Sequence, residues 1–142
     1  MKKVLATLIL LASIAGITKA QSGPTMSFEK TEIDYSNVVQ GSDGVRMFKF
    51  KNTGTEPLVI KNARGSCGCT VPKWPSEPIK PGQTAAIEVK YDTNRLGGFN
   101  KTVTVETNET NVKSHVLKIK GNVYEKKFEA VMNGQSSGGK GR

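Results

Sequence analysis

Phe48-Lys49-Phe50-Lys51-Asn52-Thr53-Gly54-Thr55-Glu56-Pro57-Leu58-Val59-Ile60 is the stretch on which the fold turns. Two phenylalanines alternate with lysines, and Leu58 and Ile60 flank Val59. Period two is the mark of a strand with one face in a core and the other in water. Asn52-Thr53-Gly54 interrupts the two runs with residues that favour turns. The same scheme recurs further on. Ile87, Val89 and Tyr91 alternate with Glu88 and Lys90, Val103 and Val105 flank Thr104, and Leu117 and Ile119 alternate with Lys118 and Lys120. Pro81-Gly82, Gly97-Gly98 and residues 108–111 punctuate these runs with turn chemistry. Strands are expected near 26–34, 44–52, 57–63, 67–71, 84–91, 99–107 and 114–124, and no segment of useful length carries the helical period. About seven short strands at this spacing predict an all-β, immunoglobulin-like two-sheet β-sandwich.

The amino-terminal residues 1–20 read as an export address. Lys2 and Lys3 precede an uncharged apolar run from Val4 to Ile17, and Thr18-Lys19-Ala20 places small residues before Gln21. That order is the layout of a secretory signal peptide cleaved after Ala20. The apolar run is shorter than the ~20 residues of a comfortable transmembrane helix. No cysteine follows it, which argues against a lipoprotein anchor, and there is no second long apolar run. The expected product is exported, periplasmic or extracellular, with no transmembrane segment after cleavage. Residues 21–124 are expected to form the sandwich domain. Residues 125–142 are expected to form a polar carboxy-terminal tail, Gly/Ser-rich and without an apolar residue from Asn133 onward.

Several linked motifs resemble one bacterial family. These are Phe48-Lys49-Phe50-Lys51-Asn52-Thr53-Gly54, Pro57-Leu58-Val59-Ile60, Cys67-Gly68-Cys69-Thr70, Ile79-Lys80-Pro81-Gly82, Gly98-Phe99-Asn100-Lys101 and Leu117-Lys118-Ile119-Lys120-Gly121, in that order. Together they resemble the bacterial domain of unknown function fifteen-seventy-three, over roughly residues 28–123. The resemblance implies an exported immunoglobulin-like sandwich akin to the PapD-like and major-sperm-protein group. It implies no activity and no functional residues, and fold analogy alone supplies neither.

Charge narrows the partners. The chain carries +9, from 21 Lys/Arg against 12 Asp/Glu, but Lys2, Lys3 and Lys19 belong to the export segment. Lys49, Lys51, Lys90, Lys118 and Lys120 occupy the solvent positions of strands, where lysine also discourages edge-to-edge pairing. No aromatic RNA-binding motif or DNA-reading helix is present, so no nucleic-acid partner is expected. A protein partner or an acidic cell-surface polymer remains. His115 is the one histidine, which leaves most His-dependent catalytic and metal sites unassembled within one chain. No Asp or Glu pairing identifies a catalytic dyad, and no enzyme activity or cofactor is expected.

Cys67 and Cys69 are the chemical signal. On an extended strand their side chains share a face with Cα atoms about 6.6 Å apart, the upper edge of disulfide geometry. Three readings stay open. The pair forms a local disulfide, relieved by a kink at Gly68. The two thiolates bind a soft metal such as Cu(I), with His115 as an outside third ligand. Or both cysteines are small reduced core residues. The proline-flanked segment from Val71 to Pro78 offers Trp74 and Pro75 as an interaction surface, against the plainer reading that Trp74 closes one end of the sandwich. The sequence thus supports an exported, non-catalytic binding or structural module acting on a protein or surface polymer. The alternative is a thiol-redox or copper-binding protein built on the Cys-Gly-Cys pair.

Overall fold

Alternation becomes two four-stranded sheets in the computed structural model, which describes residues 22–127. The expected export segment 1–20 and residues 128–142 of the expected tail lie outside the described residues. Eight strands follow in order: β1 (Met26–Phe28), β2 (Glu32–Val39), β3 (Val45–Asn52), β4 (Ile60–Gly65), β5 (Thr70–Lys73), β6 (Thr84–Tyr91), β7 (Gly97–Thr107) and β8 (His115–Tyr124). One sheet has the order β1-β3-β6-β5 and the other β2-β8-β7-β4. All pairings are antiparallel except β2 with β8.

The single strand expected at 26–34 divides. Glu29 N–H donates to Lys49 O at 3.0 Å, ending the β1–β3 ladder, and Lys118 N–H donates to Thr31 O at 2.8 Å, opening the contact with β8. Between those bonds the chain crosses from one sheet to the other. Period two cannot reveal such a crossing, because it reports which face is buried and not which neighbour a strand pairs with. The strand expected at 67–71 is also corrected: β4 ends at Gly65, β5 begins at Thr70, and residues 66–69 carry the chain between sheets on the opposite side.

The core is the alternating set. Phe48, Phe50, Leu58, Ile87, Val89, Val103, Val105, Leu117 and Ile119 are at most 1% exposed. Each such side chain stabilises the fold by roughly 1.5–3 kcal/mol relative to exposure. Among them lies a fully buried amide, Asn52. Its Oδ1 accepts from Gly54 N–H at 3.0 Å and Thr25 N–H at 3.3 Å, while Nδ2 donates to Glu56 O at 2.8 Å and Ile79 O at 2.9 Å. The side chain's two acceptor and two donor positions are all used. Gly54 must be glycine here, since a Cβ would run into the Gly23 carbonyl oxygen.

A bulge in β2 sets the other end of the core. Register shifts between Asp34 and Asn37, with Ser36 at φ 55° and its N–H on Asp34 Oδ1 at 2.7 Å. The extra residue lets Tyr35 and Val38 both point inward. Tyr35 packs edge-on against Phe99 at 5.3 Å, and Phe99 stacks on Tyr91 at 3.8 Å. Gly121 makes room for this cluster, because a Cβ there would sit 2.8 Å from both Phe99 Cζ and Tyr35 Cβ. The Tyr35 hydroxyl lies 3.0 Å from Gly44 O and 3.3 Å from Val89 O. Burial pushes its phenol up to about 12, only partly offset by the Arg46 guanidinium over the ring.

Two outcomes are expected. Asn52→Ala strands buried carbonyl and N–H groups at about 1–3 kcal/mol each, so urea unfolding should register a loss of about 3–5 kcal/mol, an unusually large effect for one residue. Tyr35's folded pKa lies above its ordinary value of 10.0, so its contribution is intact below that value and lost as pH rises through about 12. Unfolding midpoints measured across this range should fall less steeply for Tyr35→Phe than for the parent.

Candidate functional site: the Cys67–Cys69 turn and the outer face of the first sheet

Residues 66–69 are pinned at both ends before any sulfur chemistry is considered. Ser66 N–H donates to Thr102 O at 2.8 Å, and Asp92 N–H donates to Cys69 O at 2.9 Å. Thr70 N–H closes a four-residue turn on Cys67 O at 3.2 Å. Cys67 and Cys69 therefore do not lie on an extended strand. The turn shortens their Cα separation to 5.2 Å, within the ordinary disulfide range, and their sulfurs are joined. Cys69 is 5% exposed and belongs to the core. Cys67 is half-buried against that core. Gly68 is exposed, with open space where a side chain would stand. Thr70 Oγ1 lies 3.6 Å from Cys67 Sγ and 3.8 Å from Cys69 Sγ.

Beyond the turn runs β5, an edge strand. Because Cys69 O is bonded to Asp92, the residue just past β6, the alternation of an antiparallel ladder turns the backbone groups of Val71 and Lys73 toward β6 and those of Thr70 and Pro72 outward. The Thr70 N–H is held by Cys67, and Pro72 has none. This edge has no free donor for an added strand. Trp74 and Pro75 are both half-buried, and Trp74 packs against the core. The indole closes the edge of the sandwich and does not stand free.

Register assembles a surface that the sequence does not display as one patch. Val71, Lys90 and Val45 form one row across β5, β6 and β3, and Lys73, Glu88 and Met47 form the next. These residues have the opposite parity to Phe48 and Phe50, so they face outward. Met47 is 49% and Val71 50% exposed. Lys49 and Lys51 continue the same face, and Lys73 meets Glu88 at 3.6 Å. The available signal was parity: Val45, Met47 and Val71 are apolar residues at solvent positions.

His115 is not brought to the cysteines. It opposes Val105 on β7, whereas Ser66 is bonded to Thr102, about 10 Å further along that strand. Its Nε2 lies 2.6 Å from Glu109 Oε2, and the Glu109 side chain is 3% exposed. Glu109 Oε1 accepts Met26 N–H at 2.9 Å, and Oε2 accepts the Thr107 hydroxyl at 2.8 Å. The pairing crosses the β7–β8 loop, and nothing in the sequence marks it. Among the described residues no group of three or more His, Cys, Asp or Glu is placed to hold a metal ion.

The chain belongs to the family described as Protein of unknown function (DUF1573), which it matches over residues 26–123. No curated protein matches it in sequence. A protein of unknown function from Porphyromonas gingivalis W83 is similar in structure, with TM-score 0.62 and 16% identity, over 78% of this chain and 51% of that one. This chain thus spans about half the length of that relative. The Vibrio cholerae VesB protease gives TM-score 0.58 and 12% identity, over 68% of this chain and 31% of that one. The periplasmic chaperone SfaE gives TM-score 0.51 and 11% identity, over 72% and 58%. At these identities the likenesses show the fold, an immunoglobulin-like sandwich of the PapD-like kind.

The Glu109 network has a measurable weight. Glu109→Ala leaves both Met26 N–H and the Thr107 hydroxyl without their acceptors, and each orphaned donor costs about 1–3 kcal/mol. Denaturant unfolding should show that loss, and amide exchange should quicken at β1 before it does at β6.

Proposed function

We propose that the protein is an exported, non-catalytic binding module that engages a protein partner through the outer face of β3, β6 and β5. The observation that carries this reading is a pair of exposed apolar side chains, Met47 and Val71, with half-buried Val45 on the same outward face, set among Lys49, Lys51 and Lys90. Glu88 on this face is paired with Lys73, and an apolar centre among the remaining lysines suits a partner surface with an apolar anchor and surrounding carboxylates. Contact by a face is favoured over strand addition. The β5 edge lacks donors, and Glu109 occupies the outward Met26 N–H of β1. Trp74 and Pro75 lie beside this face as supporting structure.

Export is supported by the basic, apolar and small-residue order of residues 1–20. The likeness to a periplasmic chaperone agrees with it. A role without turnover is supported by the commitment of His115 and Glu109 to a buried network with β1.

Chemical cross-linking in the exported fraction of the native host tests the reading. Partners captured by the parent protein should be lost with Met47→Asp/Val71→Asp, a binding loss of about tenfold or more if these are central anchors. They should be kept with Val116→Asp, a similarly exposed apolar residue on the other sheet. Equal capture by both variants would overturn the assignment of the face.

A further inference from the structure

We propose that Cys67–Cys69 is a thiol–disulfide exchange site, with Cys67 as the attacked sulfur and Cys69 as the leaving one. The chemistry stands apart from the docking face and does not require it. Three features of the turn converge. The bridge spans only one intervening residue, and closing so short a loop restricts the unfolded chain far less than a bridge between distant strands would. The turn is already held by Ser66, Thr70 and Asp92 through backbone hydrogen bonds, so the bond adds little to what a structural disulfide is kept for.

The second feature is asymmetry. Cys69 is buried at 5% exposure, whereas Cys67 is half-buried beside an exposed glycine with open space around it. Attack by a thiolate requires access to one sulfur, and Cys67 is the less buried of the two residues. The third is the Thr70 hydroxyl, within hydrogen-bonding reach of both sulfurs. It can donate to whichever sulfur becomes a thiolate.

A thiolate of a protein or peptide dithiol attacks Cys67 Sγ and forms a mixed disulfide. The Cys67–Cys69 bond breaks, and its electron pair goes to Cys69 Sγ, which is hydrogen-bonded by Thr70 and then protonated by water. The second thiolate of the dithiol attacks its own sulfur in the mixed disulfide and releases Cys67 as a thiolate. The dithiol is oxidised to a disulfide, and the cysteine pair takes up its two electrons.

Glutathione and alkylation read this out on the folded full domain. Unreduced parent protein should resist alkylation, and reduced glutathione should open the bond at a rate linear in its concentration and insensitive to low urea. Cys69→Ser incubated with oxidised glutathione should accumulate the mixed disulfide at Cys67 at least tenfold faster than Cys67→Ser accumulates it at Cys69. Thr70→Val should slow opening several-fold, with the circular dichroism of all variants confirming an intact sandwich. Thiols free to alkylate in unreduced protein, equal labelling of the two single variants, or opening that tracks global unfolding in urea would each overturn the proposal.

Discussion

Asn52 carries the constraint on which the rest of the sandwich rests. Its amide is buried among phenylalanines, where an unsatisfied polar group is costly, and it is stable there because four backbone groups meet it. Those groups come from the entry to β1, the turn after β3, and the segment before β6. Backbone bonds from the same residue reach Gln83 and Gly82 at 3.0 and 2.8 Å. Backbone bonds join the same segments, Thr53 N–H to Thr25 O at 2.9 Å and Leu58 with Ile79 at 2.9 and 2.8 Å, and the amide locks them together. One side chain fixes the end of the core into which Leu58 and Ile79 insert, and the alternating residues can then fill the layer between the sheets.

Much of this was legible because burial follows period two. The inward residues of β3, β6, β7 and β8 are those that the alternation of Phe, Ile, Val and Leu marks. What alternation could not show was connectivity. It merged β1 with β2, placed an extended strand across the Cys67–Cys69 turn, and gave no sign that Ser36 is an extra residue in β2. Asn52 was readable as a turn former, not as a tie, since its partners lie as far away as Ile79. Glu109 and His115 are six residues apart, and their meeting depends on how a loop returns toward β1.

The edges bear on why the proposed recognition is assigned to a face. Strand edges attract unwanted pairing, and three of the four edge strands carry particular groups: a carboxylate on β1, a proline on β5 and a bulge on β2. On β1 and β5 these groups also occupy or remove an outward backbone donor that a guest strand would need. In the proposed binding role, recognition falls to side chains on a sheet surface, among them Met47 and Val71.

The parallel pairing of β2 with β8 sets the order in which the domain can be completed. β8 lies at the carboxy-terminal end of the domain, yet it holds the centre of its sheet, between β2 and β7. β2 therefore has no strand neighbour until nearly the whole domain has been delivered, and the second sheet cannot close hairpin by hairpin as the chain emerges. Such non-local closure places the loop entropy before the reward. A chain with this topology spends its delivery as an open half-sandwich, needing protection along β2 and β7 until its last strand arrives.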